Sequence, residues 1–420
     1  MGTFLLKVSS VGLGFLTSLL LAHMLGAKGY GAYAYALSLV DFINVFVVFG
    51  LPVLTTKQVS IYSSKKKWGY LRGFLKWSER VILINAIIAA SLSFVITFIF
   101  QSHLNHEMLL PFRIAVLLLP FLGLLQLKEA AIQGLKHIIM GQISSSTIRP
   151  LIFLIVIAIA YFSKINLNPS RTIELNIVAV IVALVFSFYI LRNYLPPEIK
   201  LEKAKYKAKF WIKSALPLLL SGVLGLINSQ TDIIMLGAMK GAYATGIYAV
   251  ATRVATLIVF ILASVNAAMA PTIAELYAKN NLKQLQNVIT KSARAVFFLS
   301  LPIAVFLIYK GKLALWLFGK EFMAGSSTLA ILSIGQLINA SAGSVGLILA
   351  MTGHEKDVAF GVGVSAVVNV ILNAMLIPHL GAKGAAIATS TSMIMWNIIL
   401  GIYVYKRTRL DPTALGAWKQ

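Results

Sequence analysis

Twelve runs of apolar residues divide this chain, at approximately 4–25, 31–53, 81–100, 109–128, 147–163, 173–191, 214–237, 245–268, 295–309, 325–351, 358–378 and 385–405. A helix rising about 1.5 Å per residue needs about 20 apolar residues to cross a hydrocarbon core about 30 Å thick. Each run is long enough for one crossing, the fifth and ninth only just. A transmembrane barrel would need short alternating strands instead, and these runs do not alternate. Inside lipid the backbone must satisfy its own hydrogen bonds, so each run is predicted to be a helix. Hydrophobic residues make up 59% of the chain and charged residues 12%, against about 25% charged in soluble domains. A soluble protein could not hide that much apolar surface. A soluble enzyme, a disordered chain and a repeat solenoid are thereby excluded.

The formal charge is +24, from 37 Lys and Arg against 13 Asp and Glu. In a soluble chain that excess would point to nucleic acid. Here its distribution gives another reading. The N-terminus, the loops after even-numbered runs and the C-terminus hold 27 Lys and Arg, and the opposite side holds 9. Basic residues stay on the cytoplasmic side next to anionic lipid, so both termini are predicted to be cytoplasmic and no nucleic-acid partner is expected. Lys7 and the run after it are read as a first span rather than a signal peptide. Two basic stretches, interleaved with aromatic residues, are predicted to be helices on the inner membrane surface. One runs through Lys65, Lys66, Lys67, Arg72, Lys76 and Arg80, the other through Lys200, Lys203, Lys205, Lys207, Lys209 and Lys213.

The chain also repeats itself. Met24-Leu25-Gly26-Ala27 matches Met235-Leu236-Gly237-Ala238. Beyond a four-residue insertion, Gly31 aligns with Gly246, Tyr33 with Tyr248, Ala34 with Ala249, Ala36 with Ala251, Tyr62 with Tyr277 and Lys76 with Lys291. Each half holds six runs, an even number, so the halves share one orientation. The predicted fold is an all-α integral membrane protein, with twelve transmembrane helices in two six-helix bundles related by a pseudo-two-fold along the membrane normal. The bundles are placed at 1–195 and 214–420, with a basic cytoplasmic linker or interfacial helix at 196–213. Two such bundles are expected to rock about a central cleft, the architecture of a transporter rather than an enzyme.

Chemical motifs are sparse. There is no cysteine, which excludes disulfides and thiolate metal sites. His23, His103, His106, His137, His354 and His379 fall at run ends or in loops without metal-ligand spacing. No Gly-rich phosphate loop precedes Lys-Ser or Lys-Thr, and no Asp-x-Asp occurs. No catalytic residues, metal or organic cofactor are therefore predicted.

Leu21-Ala22-His23-Met24-Leu25-Gly26 followed by Tyr30-Gly31-Ala32-Tyr33 resembles the opening signature of the polysaccharide (O-antigen type) flippases. His23 stands where that pattern has Arg. Asp232 to Gly237 followed by Gly246-Ile247-Tyr248, and Asn373 to Pro378 followed by Gly381 and Gly384 to Thr389, extend the resemblance along the chain. The family belongs to the superfamily of multidrug and toxin extrusion transporters and the lipid II flippase. The resemblance implies a flippase that moves a polyprenyl-pyrophosphate-linked oligosaccharide from the cytoplasmic to the outer leaflet by alternating access. The predicted partners are that lipid-linked oligosaccharide, anionic membrane lipids and polysaccharide assembly proteins. The rival readings are an ion-coupled multidrug or cation exporter of the same fold, a membrane glycosyltransferase or polymerase with Glu129 as an isolated acid, and a non-transporting scaffold.

A charge deep in a bilayer is costly and is a functional candidate by default. Asp41, Asp232 and Arg253 qualify. Asp232 and Arg253 lie on consecutive runs at similar depth. Either they pair and lock a hairpin, or Arg253 binds the carrier's pyrophosphate through its bidentate fork. Asp41, near the midplane, and Asp232 are candidates for proton or sodium coupling. Asn228, Gln230 and Asn44 are candidate amides for sugar hydroxyls, a role that competes with plain helix-to-helix bonding.

Overall fold

The computed structural model describes residues 2–99, 101 and 106–414. His103 lies outside them, as does the side chain of His106. Helices follow one another in chain order: α1 (Gly2–Val48), α2 (Leu51–Ser64), α3 (Trp68–Ile99), α4 (His106–Ala115), α5 (Leu118–Gly134), α6 (Met140–Ile143), a π-turn (Ser144–Ile148), α7 (Arg149–Phe162) and α8 (Pro169–Tyr194). After a 3-10 turn at Pro197–Lys200 come α9 (Ala208–Ala278) and α10 (Leu282–Trp316). A second 3-10 turn (Lys320–Gly325) leads to α11 (Ser326–Ala342), α12 (Val345–Met351), α13 (Glu355–Leu380) and α14 (Ala382–Thr408). Among the described residues nine helices or helix groups are long and apolar enough to cross a membrane, and ten if the pair Glu107–Ala115 and Leu118–Gly134, bent by 41°, counts as one span. This is a multi-pass helical membrane protein.

Two of these helices contain more than one straight segment. α1 breaks at Gly26 (φ 64°, ψ −179°) and α9 at Gly241 (φ 78°, ψ −174°). This extended, positive-φ geometry is reached essentially only by glycine. Gly241 stands 215 residues after Gly26, just as Gly246 does after Gly31. The breaks therefore share the register of the aligned tyrosines. The tetrapeptide pairing of Gly26 with Gly237 does not carry the structural equivalence, because Gly237 lies inside the helix and the chain bends at Gly241. Other ends follow local chemistry. Asn168 caps α8 by accepting from Arg171 N at 2.8 Å, ahead of Pro169, and Asn281 caps α10 by accepting from Gln284 N at 3.2 Å.

The chain forms two compact units, residues 1–226 and 227–420. In the first, neither basic stretch is a separate surface helix. The first is mostly the opening of α3, which runs unbroken from Trp68 into the apolar segment. Its aromatic residues turn inward, with Phe74 fully buried. The second, expected as a helix, is an extended strap over 203–207 before α9 begins at Ala208. Its backbone is used by α3: Lys205 N donates to Gly69 O at 2.8 Å, and Arg72 Nη1 donates to Lys200 O and Glu202 O at 3.0 and 2.8 Å. A helix would have spent those groups on itself. The close approach rests on Gly73, where a Cβ would come within 2.0 Å of Lys205 O. Trp211 then anchors the start of α9, fully buried, with its ring 5.1 Å from Phe74 and Nε1 donating to Tyr62 Oη at 3.0 Å.

In the second unit a core of Ile273, Leu285, Ile348, Leu349, Leu400 and Val404 is closed by Leu410, just beyond α14. Gln286 holds that return from both sides: Nε2 donates to Asp411 O and Oε1 accepts from Asp411 N, each at 2.8 Å.

Candidate functional site: a buried polar network in each unit

The second unit encloses a carboxylate. Asp232 lies on α9 before the break and Tyr248 after it. On a straight helix their 16-residue separation would span about 24 Å. The bend at Gly241 folds the chain back, and Tyr248 Oη donates to Asp232 Oδ2 at 2.8 Å. The turn at Gly381 between α13 and α14 completes the ring. Asn373 Nδ2 donates to Asp232 Oδ1 at 2.6 Å, and Thr389 Oγ1 donates to Oδ2 at 2.5 Å. Asn373 Nδ2 also reaches Asn369 Oδ1 at 3.0 Å, and Asn369 Nδ2 reaches Ser392 Oγ at 3.2 Å. Asp232, Tyr248, Asn369 and Asn373 are all buried. Both carboxylate oxygens are thus held by neutral donors, as a buried anion requires.

Asn228 is placed close to this network. Its Oδ1 accepts from Ser365 Oγ at 3.3 Å and its Nδ2 donates to Val362 O at 3.1 Å, which ties α9 to α13. Gln230 is half-buried two residues before Asp232. Arg253 is exposed, and among the described residues no ion pair includes it. The pairing of Asp232 with Arg253 is therefore not formed. The reason is angular: five helical residues separate Tyr248 from Arg253, a rotation of about 140°. With Tyr248 turned to Asp232, Arg253 points elsewhere.

The first unit carries a second network, which the apolar-run reading missed. Lys128 and Arg149 stand at the edges of the fourth and fifth runs, and the structure places both inside long helices: Lys128 lies within α5, and α6, the π-turn and α7 form one span across Met140–Phe162 that contains Arg149. Arg149 Nη2 donates to Asn176 Oδ1 at 3.4 Å, and Asn176 Nδ2 donates to Tyr33 Oη at 3.5 Å. The charge of Arg149 reaches both Asp41 and Glu129. Glu129 is buried, and Oε1 accepts from Ser145 N at 2.7 Å, inside the π-turn. Buried Lys128 pairs with Glu79 and places its ammonium 3.9 Å from the Phe188 ring centroid. Asp41 is exposed, and Asn44, one helical turn on, is buried with Oδ1 unpartnered among the described residues. One sequence signal pointed here. Lys128-Glu129 interrupts an apolar stretch that continues through Ala130-Ala131-Ile132. The aligned tyrosines Tyr33 and Tyr248 each enter the polar network of their own unit.

Buried polar networks on broken, membrane-crossing helices define a transporter class rather than a catalytic centre. Comparison with known proteins agrees. The family model described as "Polysaccharide biosynthesis protein" matches residues 2–277, and the MatE model matches residues 217–375. The chain belongs to the polysaccharide biosynthesis protein family, a family of transporters and not of enzymes. It is 27% identical over 186 residues to a protein of Haloferax volcanii described as "Probable low-salt glycan biosynthesis flippase Agl15". That match covers 44% of this chain and 39% of the relative, so the chain spans about two fifths of that protein's length. Over 90% of both chains it is 23% identical to the "Putative O-antigen transporter" of Shigella flexneri. The solved lipid II flippase MurJ, in an inward closed conformation, shares the fold with a TM-score of 0.75 at 17% identity, over 95% of this chain and 86% of MurJ.

Proposed function

We propose that the protein is a flippase that moves a polyprenyl-pyrophosphate-linked oligosaccharide from the cytoplasmic to the outer leaflet by alternating access. With the bent pair as one span and the helices broken at Gly26 and Gly241 as two each, the chain crosses twelve times, six per half, with both termini cytoplasmic. The observation that carries the reading is the separation of Asp232 from Arg253. Asp232 is held by Tyr248, Thr389 and Asn373, which leaves the exposed Arg253 as a deep cation with no ion pair among the described residues. A guanidinium in that condition suits a pyrophosphate. Gln230, and Asn228 positioned by Ser365, offer amides to sugar hydroxyls from the same unit, and Asn44 is a candidate amide in the first unit. Coupling to protons or sodium runs through Asp232 or Asp41. The oxygens of Asp232, Asn373 and Thr389 form a set that a proton or a hard cation can use.

The test is made in a strain lacking the gene, by measuring how much lipid-linked oligosaccharide stands on each leaflet. Intact material stranded on the cytoplasmic face, cured by wild type, poorly by Arg253→Lys and not at all by Arg253→Ala, is the expected result. Normal sidedness in the deletion strain would sink the proposal and favour an exporter of the same fold.

A further inference from the structure

A groove of about 990 Å³ opens on the second unit between α10, α11, α14 and the C-terminal segment. Its walls are apolar and open. Phe298 is 65% exposed, Ile398 57% and Ile402 50%. Ile394, Ile398 and Ile402 follow at four-residue intervals and end at Lys406, so one face of α14 carries a hydrocarbon stripe capped by an ammonium. From Ile394 to Lys406 the helix rises about 18 Å. One leaflet of the hydrocarbon core is about 15 Å deep, half of about 30 Å. Arg294 lines the same groove. Its Nε donates to Ala414 O at 2.9 Å, which fixes the guanidinium on the returning C-terminal segment. Among the described residues neither cation forms an ion pair. Asp411 is the acid among the lining residues, and its Oδ1 is occupied by Thr413 N and Oγ1 at 2.9 and 2.8 Å.

We propose that this groove binds one anionic membrane phospholipid, with an acyl chain along Ile394, Ile398 and Ile402 and its phosphate between Arg294 and Lys406. Length, apolar walls and two cations in the lining match that molecule together. A zwitterionic lipid would bring a second cation to the same end. A soluble anion would leave the stripe unused.

The full-length protein is stripped of lipid in detergent and titrated with phosphatidylglycerol or phosphatidylcholine of identical acyl chains. Bound lipid is read by native mass spectrometry, which does not depend on transport. One tightly retained phosphatidylglycerol is expected, with weaker phosphatidylcholine. Lys406→Gln should weaken retention about fivefold, the effect of removing one cation near a membrane surface. Gly401→Leu provides a variant that spares the cations. A Cβ there meets nothing within 4 Å, so the side chain starts into open space in the groove and should abolish retention. Equal retention of the two lipids overturns the proposal. So does retention of phosphatidylglycerol by Gly401→Leu at the wild-type level, preference for a polyprenyl phosphate over phosphatidylglycerol, or closure of the groove by a second copy of the chain, seen as a dimer.

Discussion

Asp232 and Asn373 lie 141 residues apart in sequence and are joined by a 2.6 Å hydrogen bond from the asparagine amide to the carboxylate. The bond spans α9 and α13, and Tyr248 and Thr389 close the other oxygen. Asn373 Oδ1 is buried without a partner among the described residues, so the network retains one unused acceptor beside the acid.

Removing the carboxylate should separate its structural and transport roles. Asp232→Ala takes the carboxylate from three donors, which keep Asn369 Oδ1, Ala385 O and one another, and each lost hydrogen bond to a charged group costs about 1.5–3 kcal/mol. A clear drop in thermal unfolding temperature in detergent is expected. Asp232→Asn keeps the shape and an acceptor, so it should lose far less stability. If Asp232 couples transport to an ion, that variant loses the ion dependence of oligosaccharide flipping while remaining folded. Unchanged ion dependence in a folded Asp232→Asn protein would remove Asp232 from the coupling route.

Alanine at Gly241 should damage the same network from a distance. The φ of 78° with ψ near 180° is strained for any residue with a Cβ, at about 1–3 kcal/mol. Gly26→Ala meets the same penalty in the first unit. Each variant should unfold at a lower temperature than wild type. An unchanged melting temperature for both would contradict the geometry of the breaks.

Trp211 is predicted to be a principal anchor of the strap. It is fully buried against Phe74 and Trp77, and truncation of a buried tryptophan costs about 3–5 kcal/mol. Trp211→Ala should lower stability severely. Tyr62→Phe, which strands only the indole N–H, should cost about 1–3 kcal/mol. Chemical denaturation of the two variants side by side gives the ranking.

Gly73→Ala should release the strap from α3. The added methyl cannot coexist with Lys205 O at 2.0 Å, so the bond from Lys205 N to Gly69 O must break. Limited trypsin digestion should then cleave at Lys203, Lys205 or Lys207 several times faster than in wild type. Equal cleavage rates would show that the strap is not held by this contact.

Much of the molecule was legible in the chain. The apolar runs located the membrane-crossing segments because lipid forces the backbone to bond to itself. The deep charges Asp41, Asp232 and Arg253 stood out because charges are rare in such runs. Arg149 and Lys128 did not, because they lie at run ends, where a charge also marks a loop, and Glu129 stood out only as an isolated acid. Whether the segment over 200–207 is a helix or a strap could not be read either. Its lysines suit an interfacial helix, and only tertiary contacts favour the strap: Lys205 O packed onto Gly73, Lys205 N bonded to Gly69 O, and Arg72 bonded to Lys200 O and Glu202 O.

The sequence by itself determined that this chain is a helical membrane protein with an internal repeat of residues, because burial of apolar surface and the period of the runs are local properties. Tertiary structure decided the partners of each polar group. Asp232 could have met Arg253 on the following segment. The bend at Gly241 and the turn at Gly381 instead bring Tyr248, Asn373 and Thr389 to it, and a buried carboxylate takes the donors that the fold places within 3 Å. Hydrogen bonds reach across any separation in sequence but over only a few ångströms in space, so their pairing is set by how the helices pack.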